Sequence, residues 1–226
     1  MGSRAEAIWS DKRMKRIIFI FLILLVPGGV FSGQLQKDQK SIEEKDRILS
    51  EIARAAIKVK TLKSDFVQER HLSMLEDVLI SRGRFYYKKQ DRLRWELTKP
   101  VASGFAVSGK NAKRWDAKSG RTQTFEVYRV PFINLFTDQV FAWATADFKQ
   151  LKKNYKIKVL NNSPVDLKLV PIRSQEKKYL AHFRIAFTAD ASHVNTVEVH
   201  ETGGDFTRIR FFNTIINTPL PNTLFD

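Results

Sequence analysis

The stretch from Gly83 to Pro100 constrains this chain most, because it alternates strictly on both sides of a polar turn. Side chains alternate across a strand, so two such runs around Lys89-Gln90-Asp91 predict a β-hairpin. Gly83, Phe85 and Tyr87, then Leu93, Trp95 and Leu97, fall on one face of the ribbon. Arg82, Arg84 and Lys88, then Arg92, Arg94 and Glu96, fall on the other. A sheet divided this way must cover its apolar face with itself, with helices, or with an apolar ligand. Which of the three applies decides what the chain is for.

The same rhythm runs through most of the remaining sequence. From Thr61 to Leu72, Leu62, Ser64, Phe66 and Gln68 alternate with Lys63, Asp65, Val67 and Glu69, which predicts the first strand. The turn signals Ser108-Gly-Lys-Asn111 and Lys118-Ser-Gly-Arg121 bracket short strands near 104–107, 112–116 and 122–128. Alternation returns at 155–159, 165–169 and 181–187, then passes through Thr202-Gly-Gly-Asp205 into Ile209 and Phe211. Strands joined this closely form a meander, and an antiparallel sheet of about ten strands is expected.

Two segments break that period. Ile42, Ile48, Leu49, Ile52, Ala55, Ala56 and Val59 recur at helical spacing between Ser41 and Lys60, giving an amphipathic helix. Pro131 to Lys153 crowds Phe132, Ile133, Leu135, Phe136, Val140, Phe141, Trp143, Phe148 and Leu151 into one or two short helices, the second starting near Thr145-Ala-Asp147. The expected fold is mainly β with few helices (α+β). A curved antiparallel sheet forms an incomplete β-barrel, lidded by the N-terminal helix and the short helices within 131–153.

The first residues read differently. Met14-Lys-Arg16 is a short basic run, Ile17 to Val26 is an unbroken apolar run of ten, and Pro27-Gly-Gly29 ends it. This is the pattern of a secretory signal, with cleavage expected before Gly33. A spanning helix needs about 20 apolar residues, so an uncleaved anchor is the lesser alternative. The division expected is an upstream and signal segment at 1–32 and one exported domain at 33–226. The chain contains no cysteine, so that domain is held by its core alone and has no thiol to carry a lipid anchor.

The net charge of +15 becomes about +12 once the five basic and two acidic residues of 1–32 are set aside. The basic residues are spread along alternating strands rather than gathered in an arm or helix, which argues against a nucleic-acid partner. A solvated outer sheet face accounts for them; attraction to anionic headgroups or an acidic partner is the functional alternative. His71, His182, His193 and His200 have no metal-ligand spacing, and His182 falls on a polar strand face. No phosphate-binding or nucleophile motif occurs, and Glu76 and Asp77 are adjacent rather than paired across a face. No residue set proposes a reaction, so the chain reads as a binding protein with no cofactor or metal, not an enzyme. The aromatic residues Phe66, Phe85, Tyr87, Trp95, Phe105, Trp115, Phe125 and Phe136 sit mostly at inward positions. Singly each suits a filled core; together they suggest a cavity for an apolar ligand.

Several of these stretches carry a family resemblance. Val59 to Arg70 resembles the opening strand of the LolA-type outer-membrane lipoprotein carriers, with its "F-x-Q" core. Gly83 to Pro100 is similar to the family's second strand followed by "L-x-W-x-x-x-x-P", and Val107 to Asp116 to its tryptophan-containing hairpin. With the Asn154-Tyr155 strand start and the 221–226 tail, the likeness covers roughly 45–226. The resemblance implies a periplasmic protein with an incomplete barrel closed by helices. It would take acylated lipoproteins from an inner-membrane ABC-type transporter to an outer-membrane acceptor. A monomer is expected; a carrier or sensor of another amphiphile, such as a glycolipid or exported fatty-acyl product, is the alternative, with a lipid-acting enzyme behind it. The expected lipid cavity is lined by Phe66, Phe85, Tyr87, Leu93, Trp95, Leu97, Phe105, Trp115, Phe125, Phe132, Leu135 and Phe136. The family's lid-tying arginine corresponds here to Lys89, followed by Gln90, so the resemblance places a lid latch at Lys89 and Arg92, with Arg94 as a further candidate. Carriers of this type usually continue past the position of Asp226 through one more short strand, so either a C-terminal element is absent or the chain is of a shorter branch of the family.

Overall fold

A computed structural model of the chain describes residues 29–89 and 91–226. The secretory signal expected upstream falls mostly on residues 1–28 and so lies outside the described residues. The chain divides into two units, residues 1–44 and residues 45–226. Helix α1, Gly29–Ala56, begins in the first and ends in the second. In the first unit Gln39 Nε2 donates to Glu43 Oε1 one turn away at 3.0 Å, and Ile42, expected on the packed stripe, is exposed.

In the second unit α1 follows its apolar period: Ile48, Leu49, Ile52 and Ala56 are buried while Arg47 and Glu51 pair on the solvent side at 2.8 Å. The chain leaves the helix through a clamp built by Asn217. Its amide accepts from Lys60 N at 2.7 Å and donates to the carbonyl of Lys58 at 3.2 Å.

Eleven strands follow, where about ten were expected from the pattern. They are β1 (Thr61–His71), β2 (Leu79–Lys88), β3 (Arg92–Lys99), β4 (Ser103–Ser108), β5 (Asn111–Asp116), β6 (Arg121–Glu126), β7 (Tyr155–Asn162), β8 (Val165–Pro171), β9 (Leu180–Phe187), β10 (Val194–Glu201) and β11 (Phe206–Ile216). Between β6 and β7 lie α2 (Pro131–Ala144) and α3 (Phe148–Asn154), whose first turn is capped by Asp147 accepting from Gln150 N. The sheet order is β6-β5-β4-β3-β2-β1-β11-β10-β9-β8-β7, antiparallel throughout. Two meanders therefore meet at one non-sequential seam, β1 against β11, and β6 and β7 are left as the edges of a curved, open sheet.

Register sorts the faces. Phe66 lies opposite Gly83 and Phe211, Phe85 opposite Trp95, and Trp95 opposite Phe105, so these residues share the inner face. Glycine at 83 is a packing requirement: a Cβ there would come within 2.4 Å of the Phe66 ring and 2.2 Å of the Glu96 carbonyl. The Phe66 and Trp95 rings consequently close to 4.2 Å between centroids.

The inner face carries two clusters. One gathers Val59, Leu62, Phe66, Phe85, Tyr87, Leu93, Trp95, Phe105, Val107, Ala112 and Ile209 under Val140 of α2. The other joins Ile48, Leu49, Ile52 and Ala56 of α1 to Phe148 and Leu151 of α3 and to inward residues of β7, β8 and β9. Lys152 of α3 reaches Asp46 of α1 at 2.9 Å and fixes the two helices together over that half. α1 and α3 thus cover the second meander, while α2 packs on both clusters, through Val140 and Phe141 on the first and Ala142 and Trp143 on the second.

Candidate functional site

The inner face is not filled. Between the two clusters lies a cavity walled by Leu62, Phe85, Tyr87 and Trp95 of β1–β3, Val197 of β10, and Ile209 and Phe211 of β11, and roofed by Val140, Trp143 and Ala144 of α2. Val59, Val194, His193 and Thr214 complete it. Measured as room for the centre of a water-sized molecule, its volume is ≈ 60 Å³, enough for a few waters or methylenes and too little for a long chain.

The wall is electrically quiet. Burial, reinforced by the Asp91 carboxylate, pushes the Tyr87 phenol up to about 12, so it stays a protonated hydroxyl. Burial also holds His193 below the ordinary imidazole value despite Asp190 nearby, which favours a neutral ring. Its Nδ1 meets Ser192 Oγ at 2.8 Å. A neutral, oily chamber suits hydrocarbon.

The roof is the least settled part of that enclosure. Among the described residues, Thr137 Oγ1, Gln139 Oε1 and Trp143 Nε1 of α2 are buried without a hydrogen-bond partner. Each such group costs about 1–3 kcal/mol relative to a satisfied one.

Of the residues expected to line the site, Phe85, Tyr87 and Trp95 stand on the cavity wall. Phe66, Leu93 and Phe105 lie in the same cluster around it, and Leu97 and Phe125 pack on that cluster part-buried. Trp115 does not join them. Register puts it opposite Gly104, on the outer face, where the Arg94 guanidinium lies 4.3 Å from its ring centre. Ala112 takes the inner position on β5, opposite Val107, because only one of the two can face inward. Phe132, Leu135 and Phe136 lie on α2, but their side chains are outside the described residues.

The expected latch separates into two connections. Lys89 Nζ donates to the carbonyl of Ile57, just past α1, at 3.2 Å. Arg92 turns to the outer face instead and donates to Asn222 Oδ1 at 2.9 Å. Lys88 joins it there, donating to Leu220 O and Asn222 Oδ1, and Arg94 Nη1 reaches Leu224 O. These three cations bind the C-terminal tail, whose Phe225 is fully buried, against the back of β2 and β3.

Sequence reasoning missed the β10–β11 wall, although Val197, Ile209 and Phe211 keep the inward period. It also missed a ladder on the outer face: His71, Phe206, His200 and His182 stack across β1, β11, β10 and β9, with centroids at 4.1, 5.2 and 4.3 Å. Three of the four histidines are thereby neighbours, yet among the described residues no group of three or more His, Cys, Asp or Glu side chains is disposed to hold a metal ion.

Residues 57–226 match the family model described as outer membrane lipoprotein carrier protein LolA. No curated protein matches in sequence. Among solved structures, an uncharacterized conserved protein from Thermus thermophilus is similar in fold, with a TM-score of 0.51, 11% identity, and 80% of this chain covering 92% of that one. MucB is similar with a TM-score of 0.50 and 13% identity, 81% of this chain spanning 62% of MucB. The LolA superfamily protein NE2245 from Nitrosomonas europaea gives a TM-score of 0.41 and 10% identity, with 80% and 96% of the two chains covered.

Proposed function

The chain belongs to the LolA family of outer membrane lipoprotein carrier proteins, and on that premise we propose that it carries the acyl chains of lipoproteins through the periplasm. In this reading residues 1–32 are a secretory signal and 33–226 the exported carrier domain. An inner-membrane ABC-type transporter would load it and an outer-membrane acceptor would unload it, the protein acting as a monomer.

The observation that carries the reading is the pairing of a neutral apolar cavity with a roof helix that buries three unpaired polar atoms. Burying a methylene is worth roughly 0.8 kcal/mol, so a dozen acyl carbons offer on the order of 10 kcal/mol. Displacing α2 exposes Val140 and Ala144 and offsets part of that gain, while releasing Thr137, Gln139 and Trp143 to water reduces the penalty of opening. Affinity then stays moderate, which suits hand-over without an energy source at delivery. Phe85, Tyr87, Leu93, Trp95, Leu97, Phe66, Phe105 and Phe125 supply the wall and its backing, and Lys89 the tie between hairpin and helix end.

Native mass spectrometry of the protein purified from the periplasm tests this directly. A bound acylated lipoprotein is the expected result; a free glycolipid or fatty-acyl product in its place would replace lipoprotein by another amphiphile as cargo. Val197→Phe, which fills the cavity from β10, should abolish retention of a fluorescent acyl probe, and undiminished retention would place the ligand elsewhere.

A further inference from the structure

We propose that the loop between β1 and β2 is a docking element that seats the protein on an anionic phospholipid surface. Every residue from Ser73 to Ile80 is exposed, and five of these eight are large and apolar: Met74, Leu75, Val78, Leu79 and Ile80. Met74 is 84% exposed and Ile80 55%, so these are not edges of the core. Large apolar side chains exposed at this density within one short segment mark an interaction site, since single scattered ones are ordinary on a surface.

The loop is held in place. The carboxylate of Asp205, in the β10–β11 turn, accepts from Ser73 N at 2.7 Å, and Leu75 N donates to Leu72 O at 2.9 Å to close a turn. On the other side Leu79 and Ile80 are in register with Arg70 and Glu69 of β1. The apolar side chains are therefore presented by an anchored loop.

Charge selects the occupant. Arg70 stands opposite Leu79, and Arg82 and Arg84 follow on β2, with Lys99 opposite Arg82 across the hairpin; all four are exposed. Asp205 lies near Arg70, and Asp65 and Glu96 stand opposite Arg84, so Arg82 and Lys99, which face no carboxylate across the ladder, are the cations left for an anion. Glu69 is engaged by Arg208 and Arg210, and the chain as a whole carries +15 against the two carboxylates Glu76 and Asp77 of the tip. An apolar tip with cations set behind it matches the boundary of an anionic bilayer, where side chains enter the acyl region and guanidinium and ammonium groups meet phosphates. The loop lies apart from the cavity wall, so this contact would bring carrier and membrane together without using the cargo site.

Co-sedimentation of the protein with phosphatidylcholine vesicles containing about 30 mol% phosphatidylglycerol tests the proposal. The unaltered protein should pellet with the vesicles. Met74→Glu with Leu75→Glu should lower the partition coefficient roughly tenfold or more by removing apolar insertion and adding charge. Arg82→Gln with Lys99→Gln, or about 0.5 M salt, should lower it several-fold. Because all four side chains are exposed, the circular dichroism spectra should be unchanged, which ties a loss to docking rather than unfolding. Failure of the unaltered protein to pellet, or undiminished pelleting of the Met74→Glu, Leu75→Glu variant, would overturn it. Equal pelleting on pure phosphatidylcholine would overturn the choice of an anionic surface.

Discussion

Lys89 Nζ lies 3.2 Å from the carbonyl oxygen of Ile57 and donates to it, joining the tip of the β2–β3 hairpin to the chain just beyond α1. The backbone repeats the connection one turn on, Lys89 N donating to Lys60 O at 2.8 Å. An ammonium at the negative end of a helix is favourably placed, and the bond is exposed, so its worth is small.

Lys89→Ala should cost about 0.5–1 kcal/mol in urea unfolding and speed amide exchange in the last turns of α1. Lys89→Arg should restore protection, since a guanidinium can donate to the same carbonyl. Exchange rates at 48–56 that ignore both changes would mean the backbone bond alone holds this junction.

Thr137 tests the roof. It is buried with an unpaired hydroxyl, so Thr137→Val replaces an unsatisfied oxygen by a methyl of similar size. The closed form should gain about 1 kcal/mol, seen as a higher urea midpoint. Uptake of an acyl probe, followed by stopped-flow fluorescence, should slow in parallel. A stabilised protein with unchanged uptake would mean that α2 does not gate the cavity.

The histidine ladder predicts a pH dependence. Burial, with the neighbouring His200, Lys168 and Arg184, holds His182 below the ordinary 6.5, while Glu198 opposes that shift. Burial lowers His193 as well. A histidine depressed in the folded state binds its proton more readily when unfolded, so stability is greatest above 6.5 and falls as pH drops from there toward the native values. Glu198 adds a lower window. Burial raises its carboxyl, but hydrogen bonds from His200 and Arg208 outweigh that and leave it below 4.5, so its contribution is lost at more acid pH. Urea titrations at pH 7.5 and 5.5 should differ less for His182→Asn than for the unaltered protein; an equal difference would remove His182 from the account.

The tail offers a separate measurement. Phe225 is fully buried, and Lys88, Arg92 and Arg94 hold the backbone around it against the outer face. Phe225→Ala should cost about 3 kcal/mol in global stability. Acyl-probe affinity, measured at a temperature where the variant is folded, should be unaltered, because the cavity lies on the opposite face of β2 and β3. A lost affinity would show that the two faces are coupled.

Alternation by itself determined the strands, the hairpins and the inward set Phe66, Phe85, Tyr87, Leu93 and Trp95, because a period of two is a local property that survives in any register. Helical spacing likewise gave the 131–153 helices and the part of α1 from Ser41 to Ala56, though not its first twelve residues, and it carried the helix four residues too far, to Lys60. Strand β5 shows where that stops: Ala112 and Trp115 have opposite parity, size favoured Trp115, and pairing with β4 put Ala112 inside. Pairing of β1 with β11 decided that the second meander would complete the cavity, since a seam between strands some 140 residues apart leaves no local trace. The same long-range register stacked His71, His200 and His182, turned Arg92 to the tail, and made α2 the roof of the cavity. Local periodicity fixes which side of its own strand a residue occupies; only closure of the sheet fixes what it meets there.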